Sequence, residues 1–383
     1  MAAGKSTGPA HAGPQQTQFG LINLLKAGAA QLIVLHHLAF YGPMADHARV
    51  LLPELFDWLA GDARIAVQIF LVIGGFLAAK SLSPQGLAKT GNPLGTLWRR
   101  YTKLAPPFVA ATLLAAGASF IASLWMTHDS ISSTPSLPQL AAHVLLLHSV
   151  LGYESLSAGA WYVAIDFQLY AGTALLLWLC GRLSGGVQRP WLAPAVVAVA
   201  AVSSLFYFNR DADWDVWAPY FFGSYGLGML AWWAGDPARR PRAVVGLFLM
   251  MALPALAALT LDFRSRIAVA LSVACVLMLL GRVRVQSGAV WSLANWLGKN
   301  SYSIFLVHFP VCLVINAAFA RFVPAQPELQ AFGTVLAWGA SLAAGAAFFR
   351  WVEAPLGRMA GMRSAPRPVR AIDRLGQKNV VIR

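Results

Sequence analysis

The chain has 383 residues, of which 58% are hydrophobic and only 11% charged, and its mean hydropathy is +0.60. A soluble domain carries about a quarter charged residues, so the composition excludes an ordinary soluble protein and implies a polytopic membrane chain. The formal net charge of +14 does not indicate nucleic acid, because the basic residues are spread between apolar spans and form no basic and aromatic surface.

Residues 1–18 are rich in Ala, Gly, Pro and Gln and lack an apolar core, which predicts a disordered cytoplasmic lead and not a secretory signal. The first span, 21–41, is long enough to cross a bilayer yet contains Lys26, His36 and His37. Ionisable groups inside a span are costly and point to function. Lys26 and His37 fall on roughly one helical face, about 16 Å apart along the axis. His36 turns about 100° away from His37 and is expected to be structural. The second span is 65–82, and before the third, 104–126, comes Trp98-Arg99-Arg100-Tyr101-Thr102-Lys103. There Arg100 and Lys103 share a helix face and could grip phosphates. Ordinary anchoring at the membrane surface is the other reading of that loop.

Leu140 to Leu151 is too short to span and is flanked by His128, Pro138, His143 and His148, predicting an interfacial or re-entrant segment. The fourth span, 161–180, carries Asp166 at the depth expected of His37, with Gln168 and Tyr170 adding hydrogen-bonding groups. A carboxylate beside an imidazole orients the ring and raises its basicity, so a His37–Asp166 pair is expected. Spans follow at 190–208, 216–234, 243–261, 267–281, 301–320 and 330–352. The ninth holds Ser301, Tyr302, Ser303 and His308, and Pro310 frees a backbone carbonyl and can kink the helix. Cys180, Cys275 and Cys312 all lie in apolar spans, so neither a disulfide framework nor a metal cluster is expected.

The fold class expected is thus all-α: a membrane bundle of about ten helices over residues 19–358, both termini cytoplasmic, with a basic cytoplasmic tail over 359–383. Charge supports the layout. Of the 29 Lys and Arg, six (Arg49, Arg64, Arg210, Arg264, Arg266 and Arg321) fall in segments assigned outside and Lys26 lies in a span, leaving the remainder on the inner side as the positive-inside rule requires. Acidic residues divide the other way. The tail with Arg363, Arg367, Arg370, Arg374 and Lys378 then suits an anionic lipid surface.

These features together resemble the integral-membrane acyltransferase family 3, over about Leu21 to Arg358. The family's arginine, ten residues, then histidine is matched in spacing by Lys26 and His37. Its Phe-Phe-Val-x-Ser-Gly-Phe pattern is matched loosely by Gln68 to Phe76, its paired-arginine motif by Arg99, Arg100 and Lys103, and its Trp-Ser-Leu-x-x-Glu-x-Gln-Phe-Tyr segment by Trp161 to Tyr170. Its Gly-x-x-Ser-Tyr-x-x-Tyr-Leu-x-His-x-Pro segment is matched by Gly298 to Pro310, and its closing Glu-x-Pro-x-x-Arg by Glu353, Pro355 and Arg358. Lysine stands for arginine at 26 and 103, aspartate for glutamate at 166, and Gln68 where an acid is common. Lysine keeps the charge but loses the planar fork.

The resemblance implies transfer of an acyl group, most often acetyl from acetyl-CoA, onto a hydroxyl of a carbohydrate or glycolipid acceptor at the cell surface. On that basis Lys26, Arg99, Arg100 and Lys103 are expected to hold the CoA phosphates. His37, oriented by Asp166, is expected to take the acceptor's proton, with direct attack and a covalent acyl-histidine relay both open. Trp161, Gln168, Tyr170, Ser301, Tyr302 and His308 are expected to line the acyl or pantetheine channel. No resident cofactor or metal is expected, and the Ala- and Arg-rich composition suits a bacterial plasma (inner) membrane. Two other classes use the same residues: a transporter or flippase coupled through intramembrane His, Lys and Asp, and a bundle haem protein with His36, His37 or His308 as axial ligand.

Overall fold

The computed structural model describes residues 20–88, 91–185, 187, 189–283 and 288–364. The predicted lead at 1–18 and most of the tail at 359–383 lie outside the described residues. Those described are helical throughout, with no strand. In chain order the helices are α1 (Gly20–Phe40), α2 (Pro43–Ala48), α3 (Pro53–Gly61), α4 (Val67–Leu82), α5 (Pro93–Ser123), α6 (Leu137–Val144), α7 (Ala160–Leu183), α8 (Leu192–Phe206), α9 (Ala218–Ala234), α10 (Pro241–Leu261), α11 (Ser265–Leu280), α12 (Ala289–Phe322), α13 (Pro327–Phe348) and α14 (Ala354–Ser364). A 3₁₀ turn, Ala63–Ala66, leads into α4, and a π turn, Phe349–Glu353, joins α13 to α14.

Ten of these correspond to the ten predicted spans. Among the described residues eight segments are long and apolar enough to cross a membrane; α9 and α11, of 17 and 16 residues, are shorter. Two helices start well before the apolar windows. Helix α5 begins at Pro93 because Asn92 caps it, accepting from the Leu94 N–H at 2.9 Å, and proline suits a first helical turn. Helix α12 begins at Ala289. Hydropathy registers only the lipid-depth part of a helix and misses its polar extension.

Helix α9 is the hub. Every residue from Tyr220 to Ala234 is buried, as expected of a helix apolar on all sides. It crosses α4 through glycine: a Cβ on Gly75 would overlap the Tyr225 carbonyl, and one on Gly228 the Val72 carbonyl. Close backbone approach of this kind is how helices pack where lipid removes the hydrophobic drive.

Helices α1 and α12 are joined likewise. Gly298 lies against the Asn23 backbone, and Asn23 Nδ2 donates to Asn295 Oδ1 at 2.9 Å. The two run in the same direction, so the last turn of α1 comes level with the middle of α12. Beyond it, Gly42 makes the corner into α2 at φ 96°, a left-handed value that favours glycine, and Asn316 of α12 secures that corner by accepting the Met44 N–H at 3.2 Å. Lys26 interacts electrostatically with Glu353, so the first and last spans meet at one end of the bundle, called here the basic end.

The predicted interfacial segment forms α6 and the turns after it. Ser136 caps α6, and Tyr101 Oη holds it to α5 by donating to the Val144 carbonyl at 2.8 Å. Beneath it His143 and His148 stack with ring centroids 4.0 Å apart, and Leu146 takes a left-handed φ of 58°.

Candidate active site

At the end opposite Lys26 the bundle opens into a cavity of about 1300 Å³. Its floor is set by α1, α4 and α7 through His36, His37, Gln68 and Trp161; its walls come from 129–133, 149–159 and 263–266. Three serines at 130, 132 and 133, and three more at 149, 155 and 157, stand with Trp161, Phe221, Phe263 and Phe309 around it. Hydroxyls beside aromatic faces suit a ligand that is itself part polar and part apolar.

His37 sits in the last turn of α1, and its Nδ1 lies 2.6 Å from Nε2 of His308. His308 Nδ1 lies 2.7 Å from the Phe305 carbonyl oxygen. A carbonyl oxygen can only accept, so His308 carries its hydrogen on Nδ1 and offers a lone pair at Nε2. His37 Nδ1–H therefore donates to His308, and His37 Nε2 is left with a lone pair on the cavity side. The rings are nearly parallel, 5° between planes.

The expected His37–Asp166 pair is not formed. Asp166 Oδ2 instead accepts from Arg100 at 2.5 Å, and the Arg100 guanidinium lies 5.0 Å over the Tyr170 ring. The reason is the early start of α5: Arg100 is two turns inside a helix, not in a loop, and reaches into the bundle. Gly74, without a side chain, leaves room for the Asp166 carboxylate. The imidazole partner of His37 is the histidine on α12.

The four cations expected together differ in their partners. Arg100 is committed to Asp166, whereas Arg99 is exposed and donates to Thr96 Oγ1 at 3.3 Å. Lys26 is half-buried and, with Lys103, Glu353 and the Arg100–Asp166 pair, forms one electrostatic cluster. Glu353, in the π turn, accepts from Ser303 Oγ at 2.5 Å.

Of the six residues expected along a channel, Trp161 lines the cavity. Ser301 Oγ donates to the Gly298 carbonyl of its own helix, and Tyr302 Oη to the Leu104 carbonyl, each at 2.9 Å. Tyr170 stacks on Arg100, Gln168 Nε2 is buried without a partner, and His308 braces His37.

Comparison with known proteins decides the family. A family model described as an acyltransferase domain matches residues 20–349. The chain belongs to this acyltransferase family. One similar protein is Regulator of hypoxia-inducible factor 1 from Caenorhabditis elegans, 30% identical over 144 residues, which are 36% of this chain and 27% of that protein. The chain therefore covers well under half of that relative's length. No solved structure matches.

In this member of the family several cavity residues have a setting that the sequence does not reveal. Gln68 accepts from Ser224 Oγ at 2.6 Å through its carbonyl oxygen, which turns its amide NH₂ to the other side. Arg264 donates to the Asn209 side chain at 2.8 Å and the Leu205 carbonyl at 3.0 Å, and Arg266 to the Asn209 carbonyl at 2.9 Å, so both brace the rim. Residues 129–133 and 149–159 reach the site only through the fold. Their one trace in the sequence is a crowd of serines between two spans.

Proposed function

We propose that the protein carries an acyl group, acetyl in the first instance, from acyl-CoA entering at the basic end to a hydroxyl of a carbohydrate-type acceptor in the large cavity. The basic end would face the cytoplasm of a bacterial plasma membrane, in keeping with the positive-inside charge pattern. The observation that carries this reading is the His37 Nε2 lone pair, fixed by the His308 and Phe305 carbonyl contacts, on a cavity wide enough for a glycan.

In the direct course, His37 Nε2 takes the acceptor's hydroxyl proton as its oxygen attacks the thioester carbonyl. The C–O bond forms, the C–S bond breaks, and the imidazolium returns the proton to the departing CoA thiolate. Charge on His37 is shared with His308 through the ring-to-ring hydrogen bond. Lys26, Lys103 and Arg99, which are not tied to a carboxylate by a hydrogen bond, would meet the nucleotide phosphates. The Arg100–Asp166 pair would then stand beside the path of the pantetheine arm.

General base catalysis is worth about 10² to 10⁴ in rate. Inverted membrane vesicles given radiolabelled acetyl-CoA are expected to move label into a glycan or lipid fraction with wild type and not with His37→Ala at equal expression. Activity of His37→Ala above about a tenth of wild type would overturn the base assignment. A transporter would instead move labelled glycan without any acyl donor.

A further inference from the structure

His36 does more than turn into the bundle. Its Nδ1 lies 2.8 Å from the Leu59 carbonyl oxygen at the end of α3. By the same logic as for His308, Nδ1 carries the hydrogen and Nε2 keeps a lone pair. Both imidazoles line the cavity, with ring centroids 5.0 Å apart and planes tilted by 47°. Nε2 of neither is sealed from space, in contrast to His148, both of whose nitrogens are buried without a partner. The cavity wall therefore carries two neighbouring imidazoles, their ring centroids 5.0 Å apart, each with one acceptor nitrogen.

Two adjacent acceptors call for two adjacent donors. A metal ion is one answer, but among the described residues no group of three His, Cys, Asp or Glu could hold one. Two hydroxyls on neighbouring carbons are the other, each at hydrogen-bond distance from its own imidazole. Trp161 and Phe221, with ring centroids 5.6 Å apart, offer apolar faces nearby for the carbon skeleton of a ring.

We infer that His36 is a positioning residue whose Nε2 accepts a hydrogen bond from the hydroxyl next to the one attacked, so that the acceptor is a vicinal diol on a sugar ring. The inference rests on the proposed role of His37. It adds a reason for the reaction to select one hydroxyl among several: the attacked oxygen must have a neighbour that His36 can hold. A lone alcohol would satisfy His37 and leave His36 unpaired.

The test reads binding without any acyl donor, on the full chain in detergent, by calorimetric titration. The probes are methyl mannoside, methyl glucoside and their monodeoxy analogues. His36→Asn is the decisive variant, because an asparagine amide can still donate to the Leu59 carbonyl while the Nε2 acceptor is gone. Wild type is expected to bind two monodeoxy analogues, lacking the attacked hydroxyl or its neighbour, each about tenfold more weakly than the parent, the worth of a hydrogen bond whose partner is left unmade, and the analogue that reads the His36 contact is the one lacking the neighbour.

His36→Asn is expected to bind the parent about tenfold more weakly and to show no further loss with that analogue. Parent binding equal to wild type, or losses that multiply to about a hundredfold, would overturn the contact. Failure of wild type to bind any of the glycosides would overturn the diol as the ligand class. A non-additive binding cycle with no label transfer in vesicles would instead sink the acyltransfer reading and leave the His36 contact standing.

Discussion

Replacing His308 tests the ring pair most directly. In His308→Ala the buried His37 Nδ1–H loses its acceptor 2.6 Å away, and leaving such a donor unmade costs about 1–3 kcal/mol. The ring then has no reason to keep its lone pair at Nε2, and the imidazolium formed during proton transfer loses a partner over which to share charge. Carried wholly into the transition state, that cost lowers kcat by about 5- to 150-fold. Acceptor KM is expected to stay within about twofold, because His308 does not line the cavity. His308→Gln, whose amide oxygen can accept from His37, is expected to recover most of the rate. The double variant His37→Ala/His308→Ala is expected to be no slower than His37→Ala alone, since the two act as a unit. Initial rates of label transfer in vesicles, normalised to protein, read all four. A His308→Ala enzyme with wild-type kcat, or a double variant much slower than His37→Ala, would refute the tautomer argument.

Two further outcomes follow from other charges. Asp166→Asn leaves a half-buried Arg100 against an uncharged amide, and losing a hydrogen bond to a charged group costs about 1.5–3 kcal/mol; a drop in the thermal midpoint of the detergent-solubilised protein is expected, and an unchanged midpoint would mean that Tyr170 and solvent suffice for Arg100. His148 is held neutral in the fold, pushed down to about 3 by burial and by His143 beside it. Since the unfolded chain titrates near 6.5, stability is full above that pH and is lost as pH falls from there toward 3, by about 1.4 kcal/mol per pH unit. His148→Leu is expected to flatten the fall in thermal midpoint between pH 7 and pH 5, and an equal fall in both proteins would assign the acid sensitivity elsewhere.

The ten-helix bundle was legible because each span must satisfy its backbone internally and meet lipid with apolar side chains, and both demands leave their mark within one segment. Lys26 and His37 stood out for the same reason, as costly residues in an apolar run. The partner of His37 was not legible. Counting residues from the ends of apolar windows placed Asp166 beside it, but helix ends in a bundle do not coincide with window ends, as Pro93 and Ala289 show. Arg100 looked like a phosphate-gripping or anchoring cation for that reason and is instead the half-buried partner of Asp166. For His36 only its angle to His37 was visible, not the 3₁₀ turn and α3 that shape the cavity around it. Depth and pairing are properties of packing between helices, and no window of one helix contains them.

The contact between His37 and His308 joins residues 271 positions apart. A ribosome adds about 5–20 residues per second, so α1 stands in the bilayer for roughly 15–50 seconds before its partner is made. During that interval the first helix holds His37 without the brace that sets its tautomer. Neighbours on the amino-terminal side, the Leu59 carbonyl among them, are already at hand to hold His36. The ring pair is therefore completed only when α12 arrives, and a chain released before that point lacks the acceptor for His37 Nδ1.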